Sequence, residues 1–218
     1  TGSFTINRLS LNSNLTMTNG VVGTISNAGV FGYNGQDQDL TYKLNSTGFS
    51  TSLFNHQFLS FSPSGNTVFN GGNANDSFLI DRIMLNTTLN GGAGNDAFSL
   101  GTTMATSNSS SMAFIDGNSG DNTLNAPVGQ NNQFSLTSSG SGSLNTIPQT
   151  NFQNIQNISG GIANDVITIT RGMVYSSISG GGGYDTLQVQ SDAGDTVNMN
   201  ISGYNSGSIS GTSGISIG

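Results

Sequence analysis

The 218 residues include no cysteine, no tryptophan and no glutamate, and only three prolines. Without cysteine there is no disulfide and no thiolate metal site. The missing glutamate, with little lysine, alanine or leucine, removes the best helix formers and argues against long helices. Cations are also scarce: Arg8, Lys43, Arg82 and Arg171, with His56 the one histidine. All 11 acids are aspartate, and the net charge is −7. That balance opposes DNA, RNA and anionic lipid, which need clustered Lys and Arg, and favours cations. No run approaches the ~20 apolar residues of a membrane span, so no membrane insertion is expected. No initiator Met or signal peptide heads the chain, and the expectation is a mature or excised piece of something larger.

What is present is 32 glycines, 12 phenylalanines and many valine, isoleucine and threonine residues. Only 7% of the chain is charged, whereas disordered chains of comparable polarity carry high charge. β-Branched and aromatic residues between glycine-rich punctuation suit strands joined by turns.

The punctuation repeats. "GGNANDSF" at 71–78, "GGAGNDAF" at 91–98, "GGIANDVI" at 160–167 and "GGGGYDTL" at 180–187 align closely. "GNSGDNTL" at 117–124 fits with Asn122 in the acid position after Asp121, and "NGQDQDL" at 34–40 is a weaker copy carrying Asp39. Gly71 to Gly91 is 20 residues, and so is Gly160 to Gly180. A longer unit encloses them, because "FSLTSSGSGSLN" at 134–145 resembles "VNMNISGYNSGSIS" at 197–210. Period-2 runs such as Val166-Ile167-Thr168-Ile169-Thr170 flank the turns. Equal spacing with like turns after like strands predicts an all-β fold, a parallel β-helix (β-solenoid) with coils of about 20 residues. Phe78, Phe98, Leu124, Ile167 and Leu187 are then expected on one inward ladder. Residues 1–30 are expected to be opening coils or an N-terminal cap and 31–218 the repeat region, together one continuous domain. The repeat pattern predicts further copies beyond the last residue.

Glycines permit positive φ, and such turns aim carbonyl oxygens inward beside the following aspartate. Carbonyls and carboxylates are the hard ligands Ca²⁺ takes, six to eight at a time, so two stacked turns would be needed. The candidate metal ligands are Asp76, Asp96, Asp165, Asp185, Asp39, Asp121 and Asn122. Against this stands a metal-free reading, in which Asn and Asp cap the turns and Asn75, Asn95 and Asn164 form a hydrogen-bonded ladder.

"GGAGNDAFS" at 91–99 resembles the calcium-binding RTX nonapeptide, and "FQNIQNISGGIANDVITI" with "ISGGGGYDTLQV" resembles repeats of large bacterial surface adhesins of the filamentous-haemagglutinin-like and RTX types. The resemblance spans roughly residues 30–218. It implies an extracellular protein at the bacterial cell surface, with Ca²⁺ at one to three sites. Ala74 and Ala163 replace the third glycine, Asn122 replaces an acid, and the nonapeptides are not back to back, which departs from a calcium-filled β-roll.

The function read from these features is structural or adhesive, not enzymatic. A stiff rod would present a surface to a host or cell-surface ligand. The alternative is a self-assembling subunit of an extracellular filament or surface layer, whose partners are copies of itself. A carbohydrate-active β-helix is weaker, since it needs a base and cations on one face. His56, Arg8, Lys43, Arg82 and Arg171 are scattered, and the pairs Asp37/Asp39 and Asp192/Asp195 read equally as turn residues. Tyr33, Tyr42, Tyr175, Tyr184 and Tyr204 are candidates for stacking on sugars but form no stripe.

Overall fold

Alternation of apolar and small polar residues produces strands that bury every second side chain. The strand Thr67–Gly72 alternates buried and half-buried positions, and Thr87–Ala93 and Ala113–Ser119 begin with the same pattern. The protein, seen in a computed structural model, is all-β, and the described residues contain no α-helix. The structure describes residues 67–81, 87–102, 113–146, 149–170 and 172–190 except 147–148, with the strand segments 2–6, 14–18, 21–26, 30–34, 41–45, 48–51, 60–62, 197–203, 206–211 and 216–217.

Two sheets dominate. The first contains, in spatial order, Asn14–Thr18, Val30–Asn34, Thr67–Gly72, Thr87–Ala93, Ala113–Ser119, Thr150–Gln153, Ser141–Leu144, Gln133–Ser138, Val166–Thr170 and Thr186–Gln190. The second runs Ser177–Gly181, Asn157–Gly161, Thr123–Asn125, Ala97–Leu100, Ser77–Ile80, Thr41–Asn45 and Gly48–Thr51. Most neighbours are parallel and in register, an arrangement compatible with a β-helix. The hairpin Gln133–Ser138/Ser141–Leu144 interrupts the parallel order of the first sheet with two antiparallel contacts.

Register places like residues over like. Phe69, Leu89, Ile115 and Phe152 are successive partners on the first sheet. Phe78, Phe98, Leu124, Ile158 and Ile178 are successive partners on the second. The Phe78 and Phe98 rings stack with centroids 4.8 Å apart. Phe69, Phe78, Leu89, Phe98, Ile115 and Leu124 are fully buried, each contributing on the order of 1.5–3 kcal/mol of burial.

The single expected ladder is therefore two. Ile167 and Leu187 do not continue the Phe78–Phe98–Leu124 column. They stack under Phe134 on the first sheet. The cause is a change in where the glycine-acid turn falls along the chain path. Thr67–Gly72, Thr87–Ala93 and Ala113–Ser119 lie on the first sheet and lead through their turns onto the second. The strand Asn157–Gly161 already lies on the second sheet, paired with Thr123–Asn125, and its turn leads back to the first. The chain thus turns at both ends of these strands, and the motif moves from one end to the other between residues 122 and 160.

Burial declines along Ser177–Gly181 and Thr186–Gln190, the strands that end the two sheets. Ile178, Leu187 and Val189 are only partly buried, whereas their inner partners Ile158, Ile167 and Ile169 are buried.

Candidate functional site

Each turn carries the chain from one sheet to the other within a few residues, and its first residues still pair between tiers. Gly92, Gly94, Gly120, Gly181 and Gly183 have positive φ, between 93° and 118°. Asn118 takes the second-glycine position at φ 58°, a left-handed conformation that asparagine tolerates. Ala74 and Ala163 are not among the positive-φ residues, so the alanine turns differ in shape from the glycine turns, as their side chains require.

The turn residues are stitched between tiers by side chains that accept backbone N–H groups. At the first end, Asp76 N donates to Asp96 Oδ1 (2.8 Å), Asp96 N to Asn122 Oδ1 (2.8 Å) and Asn122 N to Gln156 Oε1 (2.8 Å). At the second end, Asn132 N donates to Asp165 Oδ1 (2.6 Å) and Asp165 N to Asp185 Oδ1 (2.9 Å). An outer column runs the opposite way. Asn95 N donates to Asn75 Oδ1, Asp121 N to Asn95 Oδ1 and Tyr184 N to Asn164 Oδ1. Each turn is thereby tied to both neighbours, and N–H groups that strands would have paired find acceptors.

The expected proximities of Asp76 to Asp96 and Asp165 to Asp185 are present; of the expected asparagine ladder Asn75 and Asn95 are joined, while Asn164 stands at the second end, in the other column, and accepts from Tyr184 N. Asp76, Asp96, Asn122 and Asp165 are buried. Asp121 is exposed, and its Oδ1 accepts from Asn157 Nδ2 at 2.9 Å. Asp185 is exposed, just before the sheet-end strand Thr186–Gln190. Asp39 lies outside the described residues, as do Asp37, Asp192, Asp195, His56, Arg8, Arg82 and Arg171. Sequence reasoning missed Gln156 and Asn132, which take the acid position in turns without the Gly-Gly signature. Their signal was only that a polar amide stood one tier beyond the motif.

Buried carboxyls are costly unless paired. Asp96 is driven by desolvation to a pKa of about 6, opposed in part by the hydrogen bond from the Asp76 backbone. Asp165 is raised too, chiefly by burial, against the hydrogen bonds from Asn132 and with a further push from the charge of Asp185.

Among the described residues no three His, Cys, Asp or Glu side chains gather as a metal group, and the oxygens seen in the buried columns fall short of a full Ca²⁺ shell. Oδ1 of each stacked acid is occupied by a backbone N–H. Oδ2 of Asp96 and of Asp165 is buried with no hydrogen-bond partner. Beside it stands a carbonyl of the following tier: a Cβ placed on Gly91 would meet both Asp96 Oδ2 and Gly117 O, and one on Gly160 both Asp165 Oδ2 and Gly180 O. A carboxylate oxygen and a carbonyl oxygen thus converge there, and Ca²⁺, which takes six to eight, would need further oxygens from water or other groups. At Asn122 and Asn132 the same place holds an N–H donor.

Away from the turns, an open groove of about 680 Å³ lies on the first sheet, lined among others by Gln133, Ser135, Asn145, Gln149, Thr168 and Gln188. Its lining mixes amides and hydroxyls with Phe134 and Val166 and carries no charged group. Tyr175 does not offer its ring to a sugar. It is buried, and its hydroxyl lies 3.2 Å from Ser138 O and 3.1 Å from Ser141 O. Tyr184 is exposed.

Compared with known protein families, curated proteins and solved structures, the chain matches none.

Proposed function

We propose that this chain is a β-solenoid rod, a structural and adhesive segment of a secreted bacterial surface protein. The observation that carries the reading is the double stitching of the turns over in-register apolar ladders. Such a stack resists bending and pulling because adjacent tiers share backbone, side-chain and apolar contacts. Its mechanism is mechanical and interfacial. The neutral groove around Gln133, Thr168 and Gln188 supplies the ligand-facing surface, and its amides and hydroxyls suit an uncharged polar partner such as a glycan. Small-angle X-ray scattering on the purified chain tests the rod, with an elongated pair-distance distribution expected and a compact one contradicting it. Binding of beads coated with the chain to glycan-bearing cells, lost in Thr168→Arg, tests adhesion.

One observation favours a second reading, a self-assembling subunit. Among the described residues, Ser177–Gly181 and Thr186–Gln190 end their sheets with the apolar row Ile178, Leu187 and Val189 only half-covered. Edges of this kind template pairing with another chain. Sedimentation across a hundredfold concentration range separates the readings, because filaments grow with concentration and a monomeric rod does not.

A further inference from the structure

We infer that Asp96 and Asp165 are proton latches: in the acid form each donates Oδ2–H to the carbonyl oxygen of the following tier, at Gly117 and Gly180, as the amides of Asn122 and Asn132 do in the same columns. The inference stands apart from the surface-protein reading and grows from the pairing of a carboxyl oxygen with a carbonyl oxygen at these acids.

The correspondence is atom by atom. Asn122 Oδ1 accepts from the preceding tier while Asn122 Nδ2 donates to Asn154 O at 3.1 Å. Asn132 Nδ2 donates to Gly160 O at 2.7 Å. A Cβ on Gly117 would strike Asn154 O and Asn122 Nδ2, just as one on Gly91 would strike Gly117 O and Asp96 Oδ2. At Gly91, Gly117 and Gly160 one side-chain atom and one carbonyl therefore crowd the same point above the glycine. With asparagine that pair is donor and acceptor. With an ionised aspartate it is two acceptors, and the carboxylate carries a charge in a buried site. A proton on Oδ2 turns two facing acceptors into a donor and an acceptor and removes the charge.

The neighbours leave the proton as the means of neutralisation. Asp96 faces Asp76 on one side and neutral Asn122 on the other, with Asp121 and Asn95 toward solvent. Asp165 faces neutral Asn132 on one side and Asp185 on the other. No basic side chain stands in either column among the described residues, and Lys43 is exposed on Thr41–Asn45. Burial raises both acids, Asp96 to about 6, so the Asp96 latch closes as pH falls through that value and the Asp165 latch closes above the ordinary aspartate range.

The test is thermal unfolding of the chain from pH 4.5 to 8, with chelator and with millimolar Ca²⁺, for the wild type, Asp96→Asn, Asp165→Asn and Asn122→Asp. The wild-type melting temperature should fall as pH rises through about 6. Both acid-to-amide variants should melt several degrees above the wild type at pH 7.5 with a flatter pH profile, and Asn122→Asp should steepen it. Acid-to-amide variants that melt lower at every pH overturn the proposal. So does a Ca²⁺-induced rise in the wild type that these variants lose, since a cation would then occupy the place assigned to the proton. Should the variants not fold, infrared spectra of the wild type decide. A protonated-carboxyl band at pH 5.2 that fades by pH 7.5 supports the latch, and its absence at pH 5.2 overturns it.

Discussion

The backbone N–H of Asn132 donates to Asp165 Oδ1 at 2.6 Å, across 33 residues of chain. One residue comes from a loop with no Gly-Gly signature and the other from a full glycine-acid turn, yet they occupy consecutive tiers of one column. The column is thus defined by what its side chains accept and donate, and aspartate, asparagine and glutamine are all members of it.

The first glycine of the motif, five residues before the acid, is required for space, not for conformation. Gly91 is not among the positive-φ glycines, but its missing side chain is where the Asp96 carboxyl and the Gly117 carbonyl meet. Gly91→Ala should lower stability by about 1–3 kcal/mol through overpacking against backbone. Gly129, at φ 79° with open space around it, isolates the conformational term. Gly129→Ala should cost only about 1–2 kcal/mol. Denaturant titration of both variants checks the ranking.

Buried and exposed columns should differ in worth. Asn122→Ala removes the acceptor for Asp96 N and the donor for Asn154 O, inside the stack. Each group left unsatisfied costs about 1–3 kcal/mol, so the loss should reach several. Asn95→Ala strands only the solvent-accessible Asp121 N–H and should cost roughly 1 kcal/mol or less. Equal losses in a urea melt would contradict the buried column's role.

Core truncations should report position in the stack. Phe98 lies between Phe78 and Leu124 and is fully buried, so Phe98→Ala should cost about 3–5 kcal/mol. Leu187, half-covered on the sheet-end strand Thr186–Gln190, should cost clearly less as Leu187→Ala. The measurement is the urea midpoint at constant slope.

The pH dependence has a definite sign. A carboxyl whose folded pKa is raised binds its proton more tightly in the folded chain, so the folded state holds more protons in the window between the two pKa values. For Asp96 the stabilisation is fully present below the ordinary aspartate value of 3.8 and is lost as pH rises through about 6. Urea midpoints should therefore decline from pH 4 to pH 6.5 and then level off, in Ca²⁺-free buffer.

Much of the fold was legible because its repeats obey backbone geometry. Gly71 to Gly91 and Gly160 to Gly180 gave the tier length within each pair, and period-2 alternation gave strands whose neighbours are in register. The move of the motif to the other strand end was not legible. Asn154-Ile155-Gln156 stacks on the turn at 117–122 without glycines or acids, and the column continues only because Gln156 is long enough to reach Asn122 N. The spacing brought the acids of neighbouring tiers together, but what they bind was not legible. An Asp after Gly-Gly reads as a calcium ligand or a turn cap, and what separates these is where Oδ2 points and how dry it is.

The most direct test of the stack uses the absence of cysteine. Paired residues of adjacent parallel strands lie about 4.8 Å apart, within disulfide reach. Asn125 pairs with Ser159 if the turn motif changes ends, whereas aligning the motifs one over another would pair Asn125 with Thr168. The double variant Asn125→Cys/Ser159→Cys should form an intrachain disulfide under mild oxidant, and Asn125→Cys/Thr168→Cys should stay reduced. The reverse outcome, read by mass spectrometry of the digested chain, would contradict the two-ended stack on which the account rests.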